Sequence, residues 1–368
     1  MSGTPRAWGW VHHLRDGGTT PWADWVGDGD PLRPGLPGAQ QLELLRRLNR
    51  SGPVSPVLAD RVLGASAVGR GQPDLELVGA ASEAAFGPRP VDPADVSADE
   101  LLRVVTALLA EDVAAAGVPR PRRRRRARPW RVRYQLVGDP ELVNAVRVEM
   151  AARGRPPGGG DEIVVVLGTD LGRMLADAWT GRCFYSGVRS WDAWVRRQAR
   201  HDRLPPRTDL AQIAEEWAHR VGPDRVHVVL DASELPALLG VRRRVKLPDA
   251  PDAAVPDLGR RVAAAIGLYA PTDQTTALLR HRLRPMLSDT GGPSLGVPEP
   301  QLAWVTGQAE RMGEAIRHAG YAVHGRVEAL LPTRRDAVTA PSAGATLDLA
   351  LRVLRRGSPT TTGNEEET

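Results

Sequence analysis

A single cysteine, Cys183, stands in the chain. No intrachain disulfide can form, and no cysteine zinc cluster is available. Lysine is almost absent: of 49 basic residues only Lys246 is a lysine. That skew, together with abundant Ala, Gly and Pro, reads as a coding bias and discounts any one arginine as a functional marker. Long apolar runs are missing. The longest, such as residues 163–167, are too short to cross a bilayer. The opening MSGTPRAWGWVHH lacks the basic-then-apolar order of a secretory leader. A soluble, cytoplasmic protein with no membrane partner is therefore the expectation.

What is present fits a globular chain. With 368 residues, 42% hydrophobic and 25% charged, it is long enough for two domains or one large domain with an appendage. The net charge of +5 is unevenly placed: residues 1–119 carry −5, residues 120–133 carry +9 and residues 134–368 carry +1. One short segment supplies the whole basic excess. Its run Arg122, Arg123, Arg124, Arg125, Arg126, bracketed by prolines, predicts an exposed linker over residues 120–128. The same run is a candidate polyanion site, for nucleic acid or an acidic partner chain. Without interleaved aromatics or a recognised DNA-binding motif, nucleic acid is the weaker of these readings.

Residues 1–119 are rich in Gly, Pro and Trp and predict a partly helical, partly irregular module. Leu42, Leu45 and Leu48 mark one face of a helix over 39–49. Ser97 and Glu100 form a capping box that opens another. Residues 52–90 read as loops and short turns. From residue 129 to 335 the pattern becomes strands alternating with helices. Strands are expected at 130–137, 162–167 (EIVVVL) and 225–230 (RVHVVL), and helices at 140–153, 170–180, 190–200 and 209–221. That order predicts an α/β domain with a three-layer parallel sheet. Leu302, Val305, Ala309, Met312 and Ile316 make a later amphipathic helix, and 321–323 a short extended piece. Residues 336–368 are expected to hold a last helix and a disordered acidic tail.

In open parallel sheets ligands sit beyond the carboxyl ends of strands. Three such ends are legible: Gly138-Asp139-Pro140, Gly168-Thr169-Asp170 with Arg173 one turn in, and Asp231-Ala232-Ser233. Gly138, Thr169, Arg173, Asp231 and Ser233 are the candidate ligand contacts. Asp139, Asp170 and Asp231 read first as helix caps, and Arg173 as a solvated helix residue unless it grips an anion. His227, inside a strand, reads as a satisfied core histidine, and His201 and His219 as surface groups. His12-His13 lacks a third ligand at useful spacing, so no metal is expected. Cys183 is expected to be buried, and Trp179, Trp191, Trp194 and Trp217 to build the core.

Residues 130–334 resemble bacterial sulfotransferase-like proteins. The likeness lies in the strand–Gly-loop–helix at 133–153, DLGRMLADAW at 170–179, SWDAWVRRQ at 190–198, EEWAHRVGPDRVHVVL at 215–230, and the closing helix, Gly-Tyr pair and short strand within 297–332. The resemblance implies a fold related to P-loop kinases. In active members it implies sulfo transfer from phosphoadenosine phosphosulfate to an alcohol or amine. The family's phosphate loop carries a lysine, where this chain reads Gly138-Asp139-Pro140-Glu141-Leu142-Val143. Pro140 has no N–H, Asp139 would cap the helix itself, and Asp139 and Glu141 bring negative charge. Thr169 stands where the family holds the nucleotide 3′-phosphate with arginine. Arg15 to Thr20 (RDGGTT) resembles the end of the family loop but reads better as a Gly-rich turn.

The sequence therefore leads to a diverged sulfotransferase-like protein, non-catalytic or partner-dependent, with an intact sulfotransferase or an acidic chain as partner. The alternatives are an active sulfotransferase and an Arg-rich polyanion or nucleic-acid binding module.

Overall fold

A computed structural model describes residues 3–66, 74–80, 90–119, 133–158, 163–185, 188–287, 291–333 and 337–357. The Arg122 to Arg126 run and the tail beyond residue 357 lie outside the described residues. The chain forms two compact units. One comprises residues 1–119, 258–290 and 342–368, the other residues 120–257 and 291–341. The first unit thus takes in two later stretches that the sequence reading assigned elsewhere. Among the described residues no helix is long and apolar enough to cross a membrane.

The first unit is helical: α1 (Gly3–Arg15), α2 (Ala39–Arg50), α3 (Pro56–Gly64) and α4 (Ala98–Ala115) come from its N-terminal stretch. Ser97 Oγ accepts from Glu100 N–H at 3.3 Å, the cap expected from the sequence. Trp10 and Trp22 sit 5.4 Å apart in the core with Leu14, Leu42 and Leu45. The loop after α1 is tied down by Asn49, whose amide donates to the carbonyls of Leu14 and Gly18. α1 and α3 occupy stretches read as irregular. Their Gly and Pro residues hide a buried face, made in α1 by Ala7, Trp8, Trp10, Val11 and Leu14.

The second unit is the α/β part. Its strands are β1 (Tyr134–Gly138), β2 (Ile163–Leu167), β3 (Val226–Val229) and β4 (Ala322–His324). All pair in parallel in the order β1-β2-β3-β4. Between them lie α5 (Pro140–Ala152), α6 (Leu171–Cys183), α7 (Trp191–Arg200), α8 (Leu210–Val221) and the single-turn α9 (Leu235–Leu238). The helix α10 (Ala254–Ala265) spans the division between the units. α11 (Thr272–Leu278) and α12 (Arg284–Met286) follow in the first unit, joined by a π-type turn at Leu279–Leu283. α13 (Glu299–Ala319) returns the chain to β4, and α14 (Ala343–Gly357) packs along α4 in the first unit.

Side chains alternate across a strand, so a continuously apolar strand needs cover on both faces. Val164, Val165 and Val166 are all fully buried. On one face Tyr134, Leu136, Val165 and Leu167 pack with Leu142, Val146 and Met150 of α5 and with Leu235, Leu239 and Val245. On the other, Val166 and Val228 are buried and α8 lies along β2 and β3. α6 and α7 are joined by a tryptophan stack, Trp179–Trp191 at 5.6 Å and Trp191–Trp194 at 5.8 Å. The α/β class and the parallel sheet agree with the sequence reading. After β3, however, the expected helix is only a 3-10 turn and α9, followed by an extended segment.

Candidate functional site

Because the strands are neighbours in chain order, Gly138, Leu167 and Val229 end side by side. The three junctions singled out in the sequence therefore share one edge of the sheet. Gly138 has φ +104°, and a Cβ there would collide with the Leu167 carbonyl. Glycine lets the chain turn off β1 close over β2, and Asp139 N–H then donates to Leu167 O at 2.9 Å.

The turn delivers Asp139 to the head of α5. Its Oδ1 accepts from Glu141 N–H and Leu142 N–H, both at 2.9 Å. Its residue exposure is 0%. Asp170 Oδ1 likewise accepts from Arg173 N–H at 3.0 Å, and Asp231 Oδ1 from Ser233 N–H at 2.9 Å. All three aspartates are caps, as their positions predict. Asp231 and Ser233 are exposed at a 3-10 turn, and the Ser233 N–H and hydroxyl lower the Asp231 pKa.

Arg173 departs from both of its sequence readings. It is neither a free anion grip nor a solvated residue. Its Nε donates to Asp177 Oδ2 at 2.6 Å, and its side chain is only 17% exposed against 0% for Asp177. A second nitrogen reaches Pro248 O at 3.3 Å. The result is a buried cluster of Asp139, Arg173 and Asp177. Two of its oxygens, Asp139 Oδ2 and Asp177 Oδ1, have no hydrogen-bond partner. Burial pushes the Asp139 carboxyl up to about 7, opposed by the Leu142 N–H and Arg173 and reinforced by Glu141. Burial also raises Asp177, helped by the neighbouring Asp139 charge. Asp177 was missed in the sequence, although its four-residue spacing from Arg173 is an ion-pair signal.

Beside this cluster a cavity of ≈ 200 Å³ is lined by Gly168, Thr169, Arg173, Ala232, Leu235 and Pro248, among others. Ligand pockets commonly run about 300–1,000 Å³. The order β1-β2-β3-β4 contains no reversal, so among the described residues the sheet has no switch-point crevice of the kind that takes nucleotides. Phosphoadenosine phosphosulfate does not fit this edge. The N–H groups that would hold a phosphate are taken by Asp139, the neighbouring charges include two buried carboxyls, and the cavity is small.

Other sequence candidates resolve as structural groups. The Arg15–Thr20 turn follows the C-terminal end of α1, the electronegative end of a helix. There Arg15 forms a two-pronged ion pair with Asp60, and Gly18 lies against the His13 ring. His12 Nε2 meets Asp30 O at 2.9 Å, and His13 stacks on Trp25 at 4.6 Å. Among the described residues no group of three or more His, Cys, Asp or Glu is arranged to hold a metal. His227 Nδ1 hydrogen-bonds His324 Nε2 at 3.0 Å, and burial followed by the His324 charge lowers its pKa. His219 is exposed, and Cys183 is buried. Trp217 is a correction to the expected core: it is half-exposed, with Arg220 stacked 5.2 Å from its ring.

No protein-family model, curated protein or solved structure matches the chain.

Proposed function

We propose that this chain is a diverged sulfotransferase-like protein that does not itself transfer sulfo groups. Its α/β unit acts as a binding scaffold, alone or with a partner such as an intact sulfotransferase or an acidic chain. The observation that carries this reading is the side chain of Asp139. It occupies the two N–H groups at the head of α5 where a phosphate would otherwise be held. Arg173, the cation nearest that position, is committed to Asp177. Fold class alone carries no activity, so the reading rests on this local chemistry.

Titration calorimetry with adenosine 3′,5′-bisphosphate at near-physiological salt tests it. The expected result is no binding at millimolar nucleotide. Micromolar binding would overturn it and return the edge to donor recognition.

A further inference from the structure

Residues 242–246, read without comment in the sequence, form a second basic segment. Arg242, Arg243, Arg244 and Lys246 are all exposed, and none forms an ion pair among the described residues. An arginine run is most often a solvated face, but here its backbone is pinned. Arg153 donates to the carbonyl of Arg243 at 3.0 Å and to that of Arg244 at 2.8 Å. Glu149, itself paired with Arg153, accepts from Lys246 N–H at 3.0 Å. Val245 points inward and belongs to the core cluster of the sheet. The segment is thus a ledge: the carbonyls and Val245 hold it down while four cationic heads face water. Nearby carboxylates leave these heads unpaired. Glu149 serves the backbone, and Asp231 feels the Arg244 charge without an ion pair.

The ledge also lies where the arginine-rich segment enters the unit. Tyr134, the first residue of β1, donates its hydroxyl to Arg155 O at 2.6 Å, and its own carbonyl accepts from Gly158 N–H at 2.9 Å. The end of α5 therefore folds back on the start of β1. Arg153, which grips the ledge, sits in that same turn. Residues 120–133, with nine arginines and no acid, join directly to Tyr134. The two basic stretches are about 110 residues apart in sequence and meet at one edge of the unit, which carries a formal charge of +8 against −3 for the other.

We propose that this edge binds the phosphate backbone of duplex nucleic acid without sequence preference. Such a backbone carries one negative charge per about 1.7 Å of duplex axis, a density that suits two converging arginine stretches. Phosphate contacts position a protein without reading bases. The ledge offers no aromatic platform for single strands, since Tyr134 is buried. It also offers little for a lipid surface, because Val148 is the one large apolar side chain exposed on α5. The ledge is remote from the Asp139–Arg173–Asp177 chemistry, so this proposal stands or falls separately from the function proposed above.

The test is fluorescence anisotropy of the full chain with a labelled DNA duplex of roughly two helical turns (~20 base pairs), repeated over a series of salt concentrations. Replacing Arg242, Arg243, Arg244 and Lys246 together by Ala should reduce the slope of log affinity against log salt by about 3 to 4, near 0.9 per lost phosphate contact. Binding near physiological salt should weaken at least tenfold. The milder pair Arg244→Gln with Lys246→Gln should reduce the slope by about 2 and guards against misfolding of the quadruple variant. Wild-type binding by either variant, with the melting curve unchanged, overturns the proposal. So does failure of the wild-type chain to bind the duplex, or binding confined to anionic vesicles containing phosphatidylserine.

Discussion

Asp139 and Asp177 share one guanidinium, and that imbalance sets the electrostatics of the sheet edge. Burial lifts the folded pKa of Asp139 from 3.8 to about 7 and raises Asp177 with it. A raised carboxyl pKa means that the folded state holds a proton which the unfolded chain has released. Its contribution to stability is therefore present at acid pH and lost as pH rises through the window from about 4 to about 7. Asp139→Asn keeps a capping oxygen and removes the charge, so its unfolding free energy should vary less across that window and exceed wild type at pH 8. Denaturant melts at a series of pH values check this. Arg173→Ala leaves Asp177 buried without its cation and should cost about 3 kcal/mol. Replacing Arg173 by Met and Asp177 by Leu together should recover much of that loss. A stable Arg173→Ala protein would show that the arginine is free, as a ligand contact requires.

At the scale of elements, the strands were legible because burial on both faces leaves an unbroken apolar run, as in EIVVVL and RVHVVL. Helices opened by Ser97, Asp139, Asp170 and Asp209 were legible through their capping side chains. α1, α3 and the α10–α12 stretch were not. Gly and Pro interrupt their periodicity, and tertiary packing supplies the stabilisation that local propensity lacks. Of the site, the aspartate caps could be read from position, whereas the burial of Arg173 could not. It depends on Pro248, 75 residues on, laid beside α6. The His227–His324 bond, between β3 and β4, has no local signal either. Two substitutions test the element packing. Gly138→Ala forces a Cβ onto the Leu167 carbonyl at a positive φ and should lower stability by more than about 2 kcal/mol. Trp191→Ala removes the middle of the tryptophan stack and its bond to Gly296 O, and should cost about 3–5 kcal/mol. Chemical denaturation reads both.

At the scale of the whole molecule, chain order and compact units do not coincide. Residues 1–119 look like a free-standing module in sequence because the composition changes after them. In the structure their unit also contains residues 258–290 and the helix α14. Leu347, Ala350 and Leu354 of α14 are fully buried, as are Leu101, Val104 and Val105 of α4, on which it packs. A fragment of residues 1–119 should accordingly lack a cooperative melt by circular dichroism, whereas the full chain should show one. A cooperative, native-like fragment would make α14 dispensable. The opposite formal charges of the two units arise from the same interleaving and could not be assigned before the units were known.

The central claim is that the carboxyl ends of the strands are closed by a buried acid–arginine cluster rather than open to a phosphate donor. The most direct test is the pH titration of the Asp139 carboxyl carbon by nuclear magnetic resonance, with and without adenosine 3′,5′-bisphosphate. The account predicts a midpoint near 7, unmoved by the nucleotide. A midpoint below 4, or one that shifts on adding nucleotide, would contradict it.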